Sequence, residues 1–278
     1  NPKDIWDDVK IHALRVPIHT KEVITAIIIE QFLEKVGCSS DTDSFLLNGK
    51  WVFVSFNAQR FDESCANPYT PAAYTWPSTF TQEQERYLTN ELQRLMDLLH
   101  MQTSVFNIET RIATDGKPYI MEVSPRGGGN RLCEMLRYAT GIDLIAAQVR
   151  AAVGEDVASS FLHPNIPAFQ HSFIPSLCKS PMAVYTGHWA EIIIHSDQDG
   201  IYEDICIAEK YQPYVVNKDM WISQGSKVRN FKGANDAIGT LKMCFDNSEQ
   251  MEYAVTHQSA WLKVIVNPPS PNTTAIKK

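Results

Sequence analysis

The sequence predicts an α+β protein, in which mixed or antiparallel sheet and packing helices occupy residues 1–160 and a smaller β-rich module occupies residues 161–278. Three patterns support this fold class. The segment VFNIETRIATDGKPYIMEVSPR, residues 105–126, alternates apolar and polar side chains on both sides of an Asp-Gly pair, which is typical of a β-hairpin. Leucines recur at three- and four-residue spacings between Leu88 and Leu99, which indicates an amphipathic helix. After the HPNIP segment, short strands alternate with turns.

Composition and charge restrict the class of protein. Of the 278 residues, 44% are hydrophobic and 21% are charged, which is typical of soluble globular proteins, and the length favours two domains. The formal charge of −7 argues against a nucleic-acid partner, because phosphate binding needs clustered Lys and Arg. No apolar run is long enough to span a membrane, and no leader-like segment is visible. The six cysteines lie far apart without a C-x-x-C pair, so a reducing cytoplasm is expected.

The first predicted elements are strands. ITAIIIEQFLEKVG, residues 24–37, is predicted to be a buried strand that ends in a polar break. DSFLLNGKWVFVSFN, residues 43–57, is predicted to be a hairpin that turns at Asn48-Gly49, a pair favoured in two-residue turns. The stretch at 64–80, rich in proline and aromatic residues, is predicted to be a loop that packs against the rest of the protein.

The predicted helices follow. Thr81 and Gln84 form a capping box, which begins the leucine-rich helix. Two shorter amphipathic helices are expected at 131–139 and 143–154, and one late helix is expected after Ser248. The apolar stripes of these helices indicate core packing.

The predicted hairpin carries two glutamates in its strands, where carboxylates are unfavourable. A turn centred on the Asp-Gly pair places Glu109 opposite Glu122, and Asn107 opposite Ser124, on one polar face. The other face is then apolar and consists of Phe106, Ile108, Ile112, Tyr119, Met121 and Val123.

Two carboxylates that oppose each other across a strand pair repel, since directly opposed Cβ atoms lie about 4.5–5.5 Å apart. A divalent cation between Glu109 and Glu122 relieves this repulsion, and oxygen ligands without His or Cys favour a hard cation such as Mg²⁺. The alternative is that Glu109 pairs with Arg111 or Lys117 on a solvated face.

The segment after the hairpin favours the cation. Arg126 is a permanent positive charge beside the two carboxylates, and the glycines at 127–129 allow the backbone to approach a ligand closely. A phosphate held by Arg126, backbone amides and the ion fits this composition. The alternative is a plain turn with a surface arginine.

FNIE, MEVSPRGGG and the upstream IIIEQFL resemble the carboxyl half of the ATP-grasp ligases, the superfamily of biotin carboxylase and the amino-acid ligases. The resemblance covers roughly residues 20–155. Beyond residue 160, IIIHSDQDGIY and GANDAIGTLKMCFDNSEQM resemble the β-rich carboxyl-terminal module of such ligases. The resemblance therefore implies an ATP-grasp fold followed by this module.

The resemblance also implies roles for the hairpin residues. Glu109 and Glu122 match the two glutamates that bind Mg²⁺, with Mn²⁺ as an alternative ion. Ser124 stands where many members carry an asparagine as third metal ligand. Arg126 matches the arginine that steadies an oxygen of the reaction intermediate, and is the predicted catalytic residue.

ATP-binding residues are implied upstream and after the loop. Glu30, Gln31 and Leu33 match the hinge whose backbone reads adenine, and Phe32 is expected beside the base. Asn130 is counted with the cofactor-binding residues. The acid that binds the ribose stays open between Glu34, Asp41 and Asp43, which are predicted to lie in a loop. The candidates for binding a substrate carboxylate are Asn130, Arg131 and Arg137.

The implied function is an ATP-dependent ligase that activates a carboxylate as an acyl phosphate for attack by an amine. Biotin-carboxylase-like activation of bicarbonate, and a non-catalytic remnant that binds nucleotide or a partner, stay open as alternatives. No ATP-binding lysine, glycine-rich phosphate loop or amino-terminal α/β domain is visible before the hinge, so a longer parent protein is expected. The expected partners are a small carboxylate and an amine, and a homodimer is expected.

Overall fold

The structure is a computed structural model, and it describes residues 32–61, 69–161 and 181–268. The chain divides into two compact units, residues 1–33 and residues 34–278, and the elements below all belong to the second unit. Among the described residues, no helix combines the length and the apolar character needed to cross a membrane.

The first sheet has four strands in the order β2-β1-β5-β6, all paired antiparallel. They are β1 (Lys35–Leu47), β2 (Lys50–Phe53), β5 (Ser104–Ala113) and β6 (Pro118–Ser124). The predicted turn at Asn48-Gly49 joins β1 to β2, with φ angles of 50° and 77°. The hairpin predicted at 43–57 is therefore confirmed.

The β5–β6 hairpin has the predicted register at its polar end and a different one near its turn. Glu109 pairs with Glu122 and Asn107 with Ser124, but a bulge then shifts the register, so that Thr110 pairs with Ile120. A bulge adds one residue to one strand and reverses the faces beyond it. Placing Tyr119 and Met121 on the apolar face was therefore wrong.

The first sheet is covered on both faces. α1 (Gln82–Leu99) begins at the predicted Thr81–Gln84 capping box and packs its buried Leu88, Leu92 and Met96 against one face. α2 (Leu132–Thr140) and α3 (Leu144–Ala152) pack against the apolar end of the other face. The polar residues of β1, β5 and β6 lie on this second face, since they share strand parity with buried Phe45 and Val105. The carboxylates thus lie beside the start of α2.

The second sheet has five strands in the order β3-β4-β7-β11-β9. They are β3 (Ala58–Phe61), β4 (Pro71–Trp76), β7 (His188–Ile194), β9 (Val215–Met220) and β11 (Gly239–Phe245). β4 lies in the stretch predicted as a loop, and there the prediction was wrong. Proline at the first position of a strand is compatible with sheet pairing, and the strand buries Tyr74 and Trp76.

The third sheet has three strands in the order β10-β8-β12, namely β8 (Gly200–Ile207), β10 (Lys227–Val228) and β12 (Leu262–Asn267). α4 (Ser248–Thr256), the predicted late helix, and α5 (Gln258–Trp261) precede β12. The short strands predicted for the second half are present, and all their pairings are antiparallel. The domain boundary at 160/161 stays a prediction, and β4 pairs with β7 across it.

Candidate functional site

A row of three carboxylates crosses the first sheet. Asp41 of β1 pairs with Glu109 of β5, which in turn pairs with Glu122 of β6. Burial, together with the nearby charges of Asp41 and Glu122, raises the pKa of Glu109 to about 6, while Arg111 and Arg126 oppose the shift. The row is therefore a local concentration of negative charge, and a cation is the group that it favours.

The alternative partners of Glu109 are engaged elsewhere. Arg111 donates from Nε to Ser39 Oγ at 3.2 Å and lies over the Tyr69 ring. Lys117 Nζ lies 3.9 Å from an Asp115 carboxylate oxygen. Between described residues, no ion pair within 4.0 Å joins Glu109 to a Lys or Arg, so the structure does not favour the solvated pair.

Polar neighbours orient the carboxylates. Ser124 Oγ donates to Glu122 Oε1 at 2.7 Å, and Asn107 Nδ2 donates to Asp41 Oδ1 at 2.8 Å. Ser124 thus lies beside Glu122 as a hydrogen-bond donor, and its role as a metal ligand stays a prediction. Within the described ranges, no three His, Cys, Asp or Glu side chains converge closely enough to hold a metal ion. Two carboxylates that rely on phosphate oxygens for the other ligands fit the way Mg²⁺ is usually bound.

The loop after β6 carries the predicted catalytic arginine. Arg126 is exposed and its Nη1 donates to the Gly127 carbonyl at 3.0 Å. Its positive charge lowers the pKa of both Asp41 and Glu109 against the effect of burial, so it acts on the same acidic row. The structure pairs Glu109 with Glu122 and places Arg126 in the loop that follows β6, and the catalytic role of Arg126 stays a prediction.

The glycine loop is tied to strand β1. Gly128 N donates to Asp43 Oδ1 at 2.8 Å, and Cys133 Sγ donates to Asp43 Oδ2 at 2.9 Å. A Cβ on Gly128 would lie 2.6 Å from Asn107 Nδ2, so any larger residue would force its neighbours to shift, while a Cβ on Gly129 would meet no atom within 4 Å. The glycines were predicted to allow a close approach to a ligand. At Gly128, the backbone instead approaches the first sheet of the protein itself.

Asn130 and Arg131 both have left-handed backbone conformations, with φ angles of 48° and 58°. Such angles are uncommon in non-glycine residues and need side-chain support. Asn130 Nδ2 lies 3.4 Å from the Tyr74 hydroxyl, which donates to Asp41 Oδ2 at 3.2 Å. Arg131 Nε lies 2.9 Å from Asp219 Oδ2. These contacts tie the start of α2 to the second sheet, and the Tyr74 hydroxyl connects it to Asp41 of the first sheet.

The structure also locates the remaining predicted residues. Glu30 and Gln31 lie outside the described residues. Phe32 is exposed and Leu33 is half-buried, both in the unit 1–33. Arg137 lies on the surface of α2, 3.5 Å from Asp143.

The three ribose-binding candidates have different surroundings. Glu34 is exposed, while Asp41 and Asp43 lie in strand β1 and not in a loop. Asp43 is fully buried, and both of its carboxylate oxygens already accept hydrogen bonds from within the protein. Asp43 is therefore not available to a ribose.

Two buried ionisable residues of the second sheet were not predicted from the sequence. Glu191 and Lys242 are direct cross-strand neighbours with no exposed surface, and Lys242 Nζ lies 3.5 Å from Glu134 Oε2 of α2. Burial raises the pKa of Glu191 to about 8, and Lys242 opposes the shift. The signal that could have found them is a charge inside an apolar strand, as at Glu109.

The chain resembles ligases in sequence and in structure, although no family model matches it. Carnosine synthase 1 from Homo sapiens is 29% identical over 144 residues, which cover 51% of this chain and 16% of that protein. L-amino acid ligase from Bacillus licheniformis superposes with a TM-score of 0.66 at 17% identity, covering 84% of this chain and 55% of that chain.

A third similar protein is the biotin carboxylase domain of 2-oxoglutarate carboxylase from Hydrogenobacter thermophilus, solved with MgADP, ADP and bicarbonate. It superposes with a TM-score of 0.53 at 14% identity, covering 82% of this chain and 46% of that chain. This chain thus spans about half of the solved chains and about a sixth of carnosine synthase 1. These likenesses show that the chain has the ATP-grasp fold that its sequence predicted.

Proposed function

We propose that the protein is an ATP-dependent ligase that activates a substrate carboxylate as an acyl phosphate and transfers the acyl group to an amine. The single observation that carries this proposal is the pairing of Glu109 with Glu122 beside the loop of Arg126. An acidic pair next to a guanidinium suits a magnesium-bound polyphosphate, because the carboxylates hold the cation and the arginine holds an anionic oxygen.

The proposed chemistry has two steps. A carboxylate oxygen of the first substrate attacks the γ-phosphorus of ATP, and ADP leaves. The amine then attacks the acyl carbon, and inorganic phosphate leaves. Mg²⁺, with Mn²⁺ as an alternative, neutralises charge on the phosphates when it is bound.

The residues of this chain position these groups. Glu109 and Glu122 bind the cation, with Ser124 and Asn107 holding the carboxylates of Glu122 and Asp41 in place. Arg126 binds the oxygen on which negative charge develops, and a permanent, planar cation is suited to that role. Leu33 and Phe32, with Glu30 and Gln31, are proposed to hold adenine, and Asn130 to contact the nucleotide.

The test is the release of ADP by the whole protein with MgATP and pairs of amino acids, since two of the similar proteins are named for products or substrates of that class. We expect Glu122→Gln to reduce ADP release at least about a hundredfold, because the substitution keeps the shape and removes the charge that binds the cation. Glu83→Gln, the same change at an exposed position in α1, should leave the rate unchanged. Unchanged turnover in Glu122→Gln would refute the proposal.

The same assay separates the alternatives. ADP release that depends on bicarbonate and needs no amine acceptor would indicate bicarbonate activation. Binding of MgADP without any turnover would indicate a non-catalytic nucleotide-binding protein. A homodimer and a cytoplasmic location stay predictions, and size-exclusion chromatography with light scattering tests the first.

A further inference from the structure

We propose that Asp43 is a positioning residue, which fixes the glycine loop 127–129 and thereby the place of Arg126 beside Glu109 and Glu122. This inference rests on the proposed function in one respect, since it takes Arg126 as the group that binds the developing charge. The place of the loop itself can be tested without any activity.

Asp43 makes no contact with solvent. Its side chain is fully buried in β1, and three donors surround its carboxylate. Gly128 N and Asn107 Nδ2 donate to Oδ1 at 2.8 and 3.2 Å, and Cys133 Sγ donates to Oδ2 at 2.9 Å. A carboxylate, which only accepts hydrogen bonds when ionised, suits a site where every neighbour donates.

The position of Asp43 in the sheet makes the carboxylate unusual. Phe45, two residues along β1 on the same face, and Val105 opposite it are buried and apolar. Burial raises the pKa of Asp43, whereas the donors from Cys133, Gly128 and Asn107 lower it. A buried carboxylate is costly unless its partners compensate. Here one of the partners is a backbone amide of the loop, so the carboxylate ties that loop to the sheet.

A second connection ties the far end of the loop to the same strand. Asn130 Nδ2 contacts the Tyr74 hydroxyl, which donates to Asp41 Oδ2. Asn107 Nδ2 lies between the two aspartates, 2.8 Å from Asp41 Oδ1 and 3.2 Å from Asp43 Oδ1. Gly128 is thus held directly by Asp43 of β1, and Asn130 is connected to Asp41 of β1 through Tyr74 of β4.

Strand β1 therefore connects the two parts of the site, namely the carboxylates of Glu109 and Glu122 and the loop that follows Arg126. Its backbone ladder sets the register of β5, and hence the place of Glu109 and Glu122. Asp43 of the same strand sets the position of the glycine loop 127–129, which follows Arg126. Because a misplacement of about 1 Å can cost on the order of a hundredfold in rate, such a link matters to catalysis even though Asp43 touches no substrate.

The first experiment measures the loop alone, by limited trypsin cleavage of the whole protein at the bond between Arg126 and Gly127. We expect Asp43→Asn to raise the initial cleavage rate about tenfold, since the neutral side chain weakens the bond to Gly128 and places an NH₂ group against the Cys133 thiol. Asp115→Asn is the matched control, because Asp115 also accepts a backbone N–H but lies in the exposed β5–β6 turn. Equal cleavage of Asp43→Asn and the wild type would overturn the proposal.

The second experiment links the loop to Arg126 through a double-mutant cycle on ADP release. We expect Asp43→Asn to lower kcat about tenfold to a hundredfold with less than about a threefold change in the KM for MgATP. In an Arg126→Ala background, the same substitution should change kcat less than about threefold, because the group that it positions is gone. Equal losses in both backgrounds would overturn the link. Wild-type kcat in Arg126→Ala, with faster cleavage in Asp43→Asn, would refute the function of Arg126 and leave the positioning of the loop intact.

If Asp43→Asn does not fold, a milder pair of variants at Cys133 tests the same proposal. Cys133→Ser keeps a donor to Asp43 Oδ2, whereas Cys133→Val keeps a similar volume and removes the donor. We expect cleavage after Arg126 to rise severalfold in Cys133→Val and to stay near the wild-type rate in Cys133→Ser. The same rate in both variants would overturn the proposal.

Discussion

Two neighbouring glycines of the loop offer a sharp test of its packing. A Cβ on Gly128 would lie 2.6 Å from Asn107 Nδ2, 2.8 Å from Leu132 Cδ1 and 3.0 Å from Asp43 Oδ1, where ordinary contact begins at 3.4 Å. Leu132 and Asn107 are both buried and held by the core, so they cannot yield freely. Gly128→Ala should therefore cost about 1–3 kcal/mol as an overpacking change. If the loop moves away, the charged hydrogen bond to Asp43 is lost, at about 1.5–3 kcal/mol.

Gly129→Ala is the matched control, because its Cβ would meet nothing within 4 Å and no left-handed φ restricts the residue. We expect it to be neutral or to stabilise the protein by up to about 1 kcal/mol, through the smaller entropy of the unfolded chain. Urea unfolding followed by tryptophan fluorescence measures both variants. ADP release measures whether the loop still places Arg126, and should fall in Gly128→Ala alone. Equal stability and equal activity of the two variants would show that the loop does not pack as described.

Two further predictions concern pH. Since the pKa of Glu109 is raised to about 6, protons compete with the cation below that pH, and the affinity for Mg²⁺ measured by calorimetry should fall by up to about tenfold per pH unit. In Glu109→Gln the affinity should be weak and independent of pH. An affinity of the wild type that does not change with pH would contradict the role of Glu109 in binding the cation. Glu191 has a pKa raised to about 8, so its contribution to stability is present below its ordinary value of 4.5 and is lost as pH rises through 8. Between pH 4.5 and 8, the free energy of unfolding of Glu191→Gln should therefore rise relative to that of the wild type by up to about 1.4 kcal/mol per pH unit. A difference between the two proteins that does not change with pH would count against a buried, protonated Glu191.

The β5–β6 hairpin shows how far alternation along a strand can be trusted. The pairing of Glu109 with Glu122 could be predicted because turn chemistry and the period of two are local properties of the chain. The bulge near Met121 could not, because an extra residue in one strand is accommodated by the twist and packing of the whole sheet. The prediction therefore holds from Asn107 to Glu109 and fails closer to the turn.

Strand β4 shows the opposite case. Prolines at 71 and 77 indicated a loop, yet the residues between them form an interior strand of the second sheet. One of its two pairing partners, β3, is close in sequence, but the other, β7, lies far along the chain, and burial of Tyr74 and Trp76 contributes to its stability. No window of local sequence contains that partner, so propensity alone gave the wrong answer.

The sequence by itself determined the local features of this protein: the capped helix at Thr81, the two hairpins, and the presence of two carboxylates and an arginine within one short segment. Only the tertiary structure decided what each charge does. Asp41 and Asp43 are the same residue type two positions apart in β1, but one faces Glu109 and the other is buried under the glycine loop. Burial and hydrogen bonding depend on segments that are distant in the chain, so the roles of such residues follow from the fold and not from their neighbours in sequence.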